Sequence, residues 1–314
     1  LADYAISVFA IDVDGDGDVD ALSASESDDT VAWYENDCGT HAPTGSFAPT
    51  TAPTATHAPS AAPTPRPTVR CTSVAFSERV ITTTADYAYS VFAIDVDGDG
   101  DVDALSASYN DDTVAWYEND GSQSFTERII TTLADNVRSV FAIDLDGDGD
   151  VDVLSASQGD DTVAWYENDG FESFTEHIIT TLADGAWSVY VIDVDGDGDM
   201  DMVSASDSDD TFAWYENDGS QSFTERIITT LADGATSVFA IDVDGDGDVD
   251  VLSASYSDDT VAWYETDGSE SFTERIITTL ADVASSVFAI DMDGDGDVDV
   301  LSASQGDDTV AWYE

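Results

Sequence analysis

Five aspartates in nine residues, with the pattern Asp-x-Asp-Gly-Asp-Gly-Asp-x-Asp, occur six times in this chain, starting at Asp12, Asp95, Asp144, Asp193, Asp242 and Asp291. The last five starts are 49 residues apart and the first interval is 83. A fixed period in the range of 20 to 50 residues is the signature of a solenoid, propeller or array, in which no unit buries a core alone. The extra residues of the first interval all fall at one place inside the first unit. Its other segments, "SVFAIDVDGDGDVDALSAS" and "TVAWYEND", match the later units.

Each unit reads as four strands. "SVFAI" and "DALSAS" flank the aspartates, and "TVAWYEN" and "FTERIITT" follow; all are short, rich in β-branched and aromatic residues, and bounded by Gly, Asn or Asp turns. Asn119-Asp120-Gly121 is a hairpin signal between the third and fourth strands, since Asn and Gly accept positive φ. In "TVAWYEN" both faces carry apolar side chains, which requires a sheet covered on both sides. Four-stranded sheets repeated radially satisfy this, and no helical periodicity is present. The expected fold is therefore an all-β propeller of four-stranded antiparallel blades, with six repeats of about 49 residues visible and six or seven blades in full. "LAD" at residues 1–3 repeats the "LAD" that follows a fourth strand at 133–135, and Glu314 falls within a unit. The chain is accordingly expected to be a fragment whose last blade is incomplete.

The expected domain division is a propeller of residues 1–37 plus 71–314, with an insert at 38–70 in the turn between strands three and four of the first unit. All seven prolines lie between Pro43 and Pro67, in a Thr/Ala/Pro tract with the composition of an extended polyproline-like spacer. The two cysteines of the chain, Cys38 and Cys71, frame it where other units have a tight turn. A disulfide closing this neck is expected, stabilising by about 3 to 4 kcal/mol by loop entropy. Two cysteines framing such a tract favour an oxidising, extracellular or cell-surface location.

In the first loop, Asp12, Asp14, Asp16 and Asp20 place carboxylates at positions 1, 3, 5 and 9. Asp18 at position 7 offers its backbone carbonyl, and Gly17 at position 6 allows a sharp turn. Oxygen donors wrapped around a point suit a hard cation, and calcium suits them better than magnesium, which takes few protein oxygens. Two carboxylates about 4 Å apart repel by roughly 4 kcal/mol at an effective dielectric near 20. A bound cation reverses that sign. The same positions recur as Asp95, Asp97, Asp99, Asp101 and Asp103; as Asp144, Asp146, Asp148, Asp150 and Asp152; as Asp193, Asp195, Asp197, Asp199 and Asp201; as Asp242, Asp244, Asp246, Asp248 and Asp250; and as Asp291, Asp293, Asp295, Asp297 and Asp299. About six calcium ions are expected. A helix-loop-helix calcium hand needs glutamate at position 12, which is Ser23 here.

The Asp-x-Asp-x-Asp-Gly-x-x-Asp pattern between two strands, at constant period, resembles the calcium hairpin of FG-GAP/VCBS repeats, the integrin-α-like β-propeller family. The resemblance covers all six units outside the insert and implies a calcium-stabilised propeller. No literal Phe-Gly or Gly-Ala-Pro string is present, so the resemblance carries the fold more firmly than it carries integrin-type adhesion.

With loops 1–2 and 3–4 of each unit on one face, the aspartate loops and the insert share that face. Differences between units gather on the other. Tyr4, Tyr87, Tyr89, Arg138 and Trp187 follow "LAD" or its equivalent, while Tyr109, Asp207 and Tyr256 follow "SAS". Aromatic and arginine side chains in loops are typical interface anchors, and this is the expected ligand face, with neutral drift of surface loops as the alternative source of the same variation. The recurrent tryptophans from Trp33 to Trp312 are expected in contacts between blades, and Arg79, Arg128, Arg226, Arg275 and His177 beside acidic neighbours.

A net charge of −61 with no lysine excludes ordinary nucleic-acid binding, which needs a basic footprint. No run of 18 apolar residues is present. The histidines are His41, His57 and His177, and none accompanies a serine at a unique position, so no enzymatic activity is expected. The expected function is an extracellular calcium-binding module recognising protein or glycan in the manner of an adhesion domain. The alternatives are a calcium-rigidified surface repeat without a specific ligand, and a lectin.

Overall fold

The computed structural model describes residues 4–37, 75–268 and 271–314. Cys38 and Cys71, their expected disulfide and the Pro/Thr/Ala insert lie outside the described residues. Among the described residues every regular element is a strand, and no helix is long and apolar enough to cross a membrane.

Five antiparallel sheets have four strands and a sixth has three, each in simple sequence order, giving the six blades of a β-propeller. In the second blade the strands are Ala88–Ile94, Asp103–Ser108, Thr113–Asn119 and Phe125–Thr131. Their register pairs Ile94 with Asp103, Leu105 with Trp116 and Trp116 with Arg128. The first blade repeats it, pairing Trp33 with Arg79 across strands Thr30–Asp37 and Ala75–Thr82, so the extra residues leave the ladder unchanged.

First strands line the axis. There Phe9, Phe92, Phe141, Tyr190, Phe239 and Phe288 follow one another with ring centroids 4.6, 4.7, 5.2, 4.8 and 4.8 Å apart. The core lies between blades. Val114 and Trp116 pack forward against Val137, Val140 and Ala142 of the third blade, while Ala115 and Tyr117 pack backward with Trp33 and Val31 of the first. Trp33, Trp116 and Trp214 are fully buried in this way, which accounts for apolar groups on both faces of strand three. Each such side chain stabilises by about 1.5 to 3 kcal/mol on burial, and Trp116→Ala costs about 3 to 5 kcal/mol.

A polar bond runs beside each apolar contact. The Ser7 hydroxyl accepts from Val91 N–H at 3.2 Å, and Ser90, Ser139, Ser188 and Ser237 accept in turn from Val140, Val189, Val238 and Val287. On the face opposite the aspartate loops, Asp112 accepts from Asn136 N–H at 2.9 Å, joining the second blade to the third. Asp29, Asp161, Asp210 and Asp259 do the same for their successors.

Candidate functional site

The aspartate loops are built by their own backbone. In the second blade Gly98 and Gly100 donate their N–H groups to the two Asp95 oxygens at 2.8 and 2.9 Å, and Asp99 and Asp101 donate to Asp97 and Asp99 at 3.1 and 2.9 Å. Gly100, at position 6, has φ of +99° with open space around its Cβ position. The glycine is required by the backbone angle and not by crowding.

The position-9 aspartate is buried and ties the start of its own loop to the end of strand three. Asp103 accepts from Val96 N–H at 3.0 Å and from Asn119 N–H at 2.7 Å. Asn119 in turn donates to the Val102 carbonyl at 3.0 Å. Asn36, Asn168 and Asn217 repeat this part of the clamp, and Thr266 takes the place in the fifth blade; sequence reasoning passed it over, although the Asn of "WYEN", present in four units, was its signal. Burial pushes Asp103, Asp152, Asp201 and Asp250 up to about 6 from the ordinary 3.8, against the opposing pull of these N–H donors. Asp97, Asp146 and Asp195 are also raised, by partial burial and then by neighbouring carboxylates.

Carboxylate oxygens from these loops converge. Asp12, Asp14 and Asp20; Asp95, Asp97 and Asp99; Asp144, Asp146 and Asp152; Asp193, Asp195 and Asp197; and Asp242, Asp244 and Asp246 each bring three oxygens within 4.8 Å of one another, and one further group does so. Positions 1 and 3 belong to every named group, joined by position 5 or 9. The all-oxygen, acidic donor set fits a hard divalent cation, and a carboxylate oxygen that accepts one N–H keeps a lone pair for a metal.

Position 7 behaves differently. The carboxylates of Asp101, Asp150, Asp199 and Asp248 turn to Gly121, Gly170, Gly219 and Gly268 in the strand three to four hairpin, where they occupy the space a Cβ would need. That close approach explains the hairpin glycine, whose φ is also positive.

On the opposite face, six of the eight expected ligand-face residues form one cluster across blades two, three and four. The Arg138 guanidinium lies 4.3 Å from the Tyr89 ring centroid, 4.3 Å from Tyr109 and 3.9 Å from Trp187. Tyr87 packs on Tyr109 at 5.5 Å. Arg138 donates to the Gln158 side-chain carbonyl at 2.9 and 2.6 Å, and Gln158 donates to Asp207 at 3.3 Å. Glu26 of the first blade accepts from the Tyr87 hydroxyl and, with burial, pushes that phenol up to about 12. Tyr4 and Tyr256 stand apart: Tyr4 accepts from Gln305 at 2.9 Å, and Tyr256 is an exposed side chain. Gln158 and Glu26 were missed from sequence, although both occupy the same variable position after "SAS" as Tyr109.

Among the described residues Arg138 is set apart from the other arginines. Arg79, Arg128, Arg226 and Arg275 each pair with a strand-three glutamate, and His177 pairs with Glu167. Among the described residues no ion pair involves Arg138, whose guanidinium bonds to the Gln158 amide instead.

Residues 95–155, 144–204, 193–253 and 242–302 each match the FG-GAP-like repeat, together covering more than half of the chain. A comparison with curated proteins finds no match. Among solved structures, a catalytically inactive virginiamycin B lyase from Staphylococcus aureus with quinupristin is similar at a TM-score of 0.60 and 10% identity, over 99% of this chain and 84% of that one. The BBS1N protein in complex with ARL6DN aligns at 0.58 and 11%, over 97% and 77%. A protein from Lactobacillus plantarum aligns at 0.54 and 12%, over 99% and 84%. At these identities the likeness is one of fold.

Proposed function

Because this chain belongs to the FG-GAP-like repeat family, we propose that it is an extracellular β-propeller whose aspartate loops bind calcium and whose opposite face recognises a protein or glycan. The observation that carries the recognition reading is the Arg138 cluster. The units are near copies, yet three adjacent blades depart from the repeat at the residues that meet there. Tyr89, Arg138 and Trp187 stand where the other blades have Ile6, Thr236 and Ser285. The Arg138 guanidinium is boxed by aromatic rings and bonded to a neutral amide, whereas Arg79, Arg128, Arg226 and Arg275 each pair with a glutamate. Aromatic and arginine side chains are the residues that dominate binding at interfaces.

Calcium is supported by the converging oxygens of the loops and by the electrostatic problem they pose. With the loops loaded, that face is a rigid platform, and the cluster on the other side supplies discrimination.

The test is a binding screen of the calcium-loaded protein against panels of glycans and extracellular matrix proteins, run beside Arg138→Gln and Trp187→Ala. The expected result is a hit that both variants lose while their melting temperature in calcium and their bound calcium stay at the parent values. A hit that survives both substitutions overturns the assignment of the face. Absence of bound calcium in the parent protein overturns the loop assignment separately.

A further inference from the structure

At the end of the axis away from the aspartate loops, two positions of the repeat supply the side chains that meet. The second residue of the first strand is Ile6, Tyr89, Arg138, Trp187, Thr236 and Ser285 in turn. The residue after "SAS" is Glu26, Tyr109, Gln158, Asp207, Tyr256 and Gln305. In the third blade a cation at the first position is bonded to a neutral amide at the second, where the first and fourth blades carry carboxylates. Arg138 Nε and Nη2 donate to Gln158 Oε1 at 2.9 and 2.6 Å, and Gln158 Nε2 donates onward to Asp207 at 3.3 Å.

The amide is a spacer between opposite charges. Asp207 feels the positive charge of Arg138, but its bonds are to Gln158 and to the Ser208 hydroxyl, the latter at 3.0 Å. Glu26, the other acid beside the cluster, accepts from the Tyr87 hydroxyl. The ring centroids of Tyr89, Tyr109 and Trp187 lie 4.3, 4.3 and 3.9 Å from the guanidinium carbon. Rings this close crowd the approaches above and below the planar group. Gln158 takes one edge, and the Tyr89 hydroxyl stands within bonding reach. Arginine has more N–H groups than these partners use, and all lie in the guanidinium plane. An acceptor with two coplanar oxygens meets them in that plane with parallel bonds, which is the bidentate geometry of a carboxylate.

Resting on the reading of this face as a recognition surface, we propose that Arg138 anchors a sugar carboxylate, a uronate residue of a glycan. Charge sets the class. One guanidinium compensates one negative charge, and Asp207 and Glu26 repel a second, which counts against a doubly charged phosphate ester. The surroundings set the rest. Tyr87, Tyr89, Tyr109, Gln158, Trp187 and Ser208 offer rings, an amide and hydroxyls, with no aliphatic side chain among them. Flat apolar rings with polar tips match a pyranose, which has a C–H face and hydroxyls, better than they match a peptide side chain. Long-range electrostatics oppose this ligand, because the chain carries a net charge of −61. That repulsion reaches about 30 Å at 0.01 M salt and about 8 Å at 0.15 M, while the pair with Arg138 acts at bond distance. Binding is therefore expected to tighten with salt over this range, the reverse of a ligand held by a basic patch.

The experiment titrates the full chain, in saturating calcium, with cellobiouronic acid, its methyl ester and neutral cellobiose, and follows binding by saturation-transfer NMR. The acid is expected to bind about tenfold or more tightly than either uncharged sugar, and more tightly at about 0.15 M than at about 0.01 M sodium chloride. Gln158→Glu sets a carboxylate against Arg138 without changing the size of the side chain. It is expected to weaken the acid by about tenfold or more with bound calcium at the parent value, and Arg138→Gln is expected to do the same. Arg128→Gln makes an equal change in net charge at the outer rim and is expected to leave binding unchanged. Equal binding of the three sugars, lost in Trp187→Ala, overturns the carboxylate assignment and leaves the recognition reading standing. Tighter binding of a sulfated cellobiose, or of a short peptide with a free terminal carboxylate, overturns it by naming another ligand. Absence of binding by the acid overturns it, as does acid binding that survives both Gln158→Glu and Arg138→Gln. The recognition reading itself falls only if hits from the wider screen also survive Arg138→Gln and Trp187→Ala.

Discussion

The two faces of the propeller are built from the same repeat and obey different rules. On the aspartate-loop face the Asp-x-Asp-Gly-Asp-Gly-Asp-x-Asp pattern is kept in every unit, and the bonds within the loop recur from blade to blade, as in Gly100 to Asp95, Gly149 to Asp144 and Gly198 to Asp193. On the opposite face the residue after "LAD", or after "TAD" in the second unit, is Tyr4, Tyr87, Asn136, Gly185, Gly234 and Val283 in turn. All six adopt a left-handed backbone with φ between 53° and 71°. The backbone demand is constant and glycine meets it at least cost, yet two units carry tyrosine and one carries valine. Constancy marks the face where each unit solves the same physical problem. Variation at strained positions supports the proposal that something other than folding selects the residue on that face.

Calcium removal breaks the comparison most strongly. At 10 mM calcium and affinities of about 0.1 to 1 mM, six sites contribute roughly 8 to 16 kcal/mol, so excess chelator is expected to lower the melting temperature by tens of degrees. In the metal-free protein the sign of the pH dependence inverts. Asp103, Asp152, Asp201 and Asp250 are raised to about 6 in the folded chain from 3.8. The folded state therefore binds protons more tightly, with a contribution complete below about pH 4 and lost as pH rises through about 6. Scanning calorimetry in chelator is expected to show the melting temperature rising from pH 7 to pH 5. In saturating calcium it is expected to fall over the same interval, because protons compete with the metal.

A single loop gives a smaller step. Asp97→Ala is expected to remove one calcium ion by titration calorimetry and to cost about 1.4 to 2.7 kcal/mol at 10 mM calcium. The difference from the parent protein is expected to shrink in chelator. The opposite face should show the reverse sign. Val283→Gly relieves a β-branched residue at φ of +60° and is expected to stabilise by about 1 kcal/mol in chemical denaturation, with calcium binding unchanged. The smallest effect is expected at the rim, where Arg128→Ala removes an exposed pair with Glu118 and is expected to leave the midpoint of chemical denaturation nearly unchanged.

Strand number, strand order, blade repetition and the acidic loops were legible in the chain because each depends on residues close in sequence: hairpin turns, alternation, and aspartates within nine residues. The expected placement of the tryptophans between blades followed from apolar groups on both faces of one strand. The position-7 aspartates were harder to place. Asp101 looks identical to its neighbours in sequence, and only the approach of the strand three to four hairpin gives its carboxylate a different destination at Gly121.

By itself, then, the sequence determined the unit: four short strands, a loop of converging carboxylates, and a sheet apolar on both faces that cannot stand alone. The tertiary structure decided what the units do to one another. Tyr87, Tyr89, Tyr109, Arg138, Trp187 and Asp207 span 121 residues of chain from first to last, and they meet because antiparallel blades of equal length return the same positions to the same end of the axis. The different settings of Val8, exposed in the first blade, and Val91, buried in the second, are equally invisible in sequence, since both stand in the same motif. Only the presence or absence of a neighbouring sheet makes one of them core and leaves the other open to solvent, because burial belongs to the packing of blades and not to the residue.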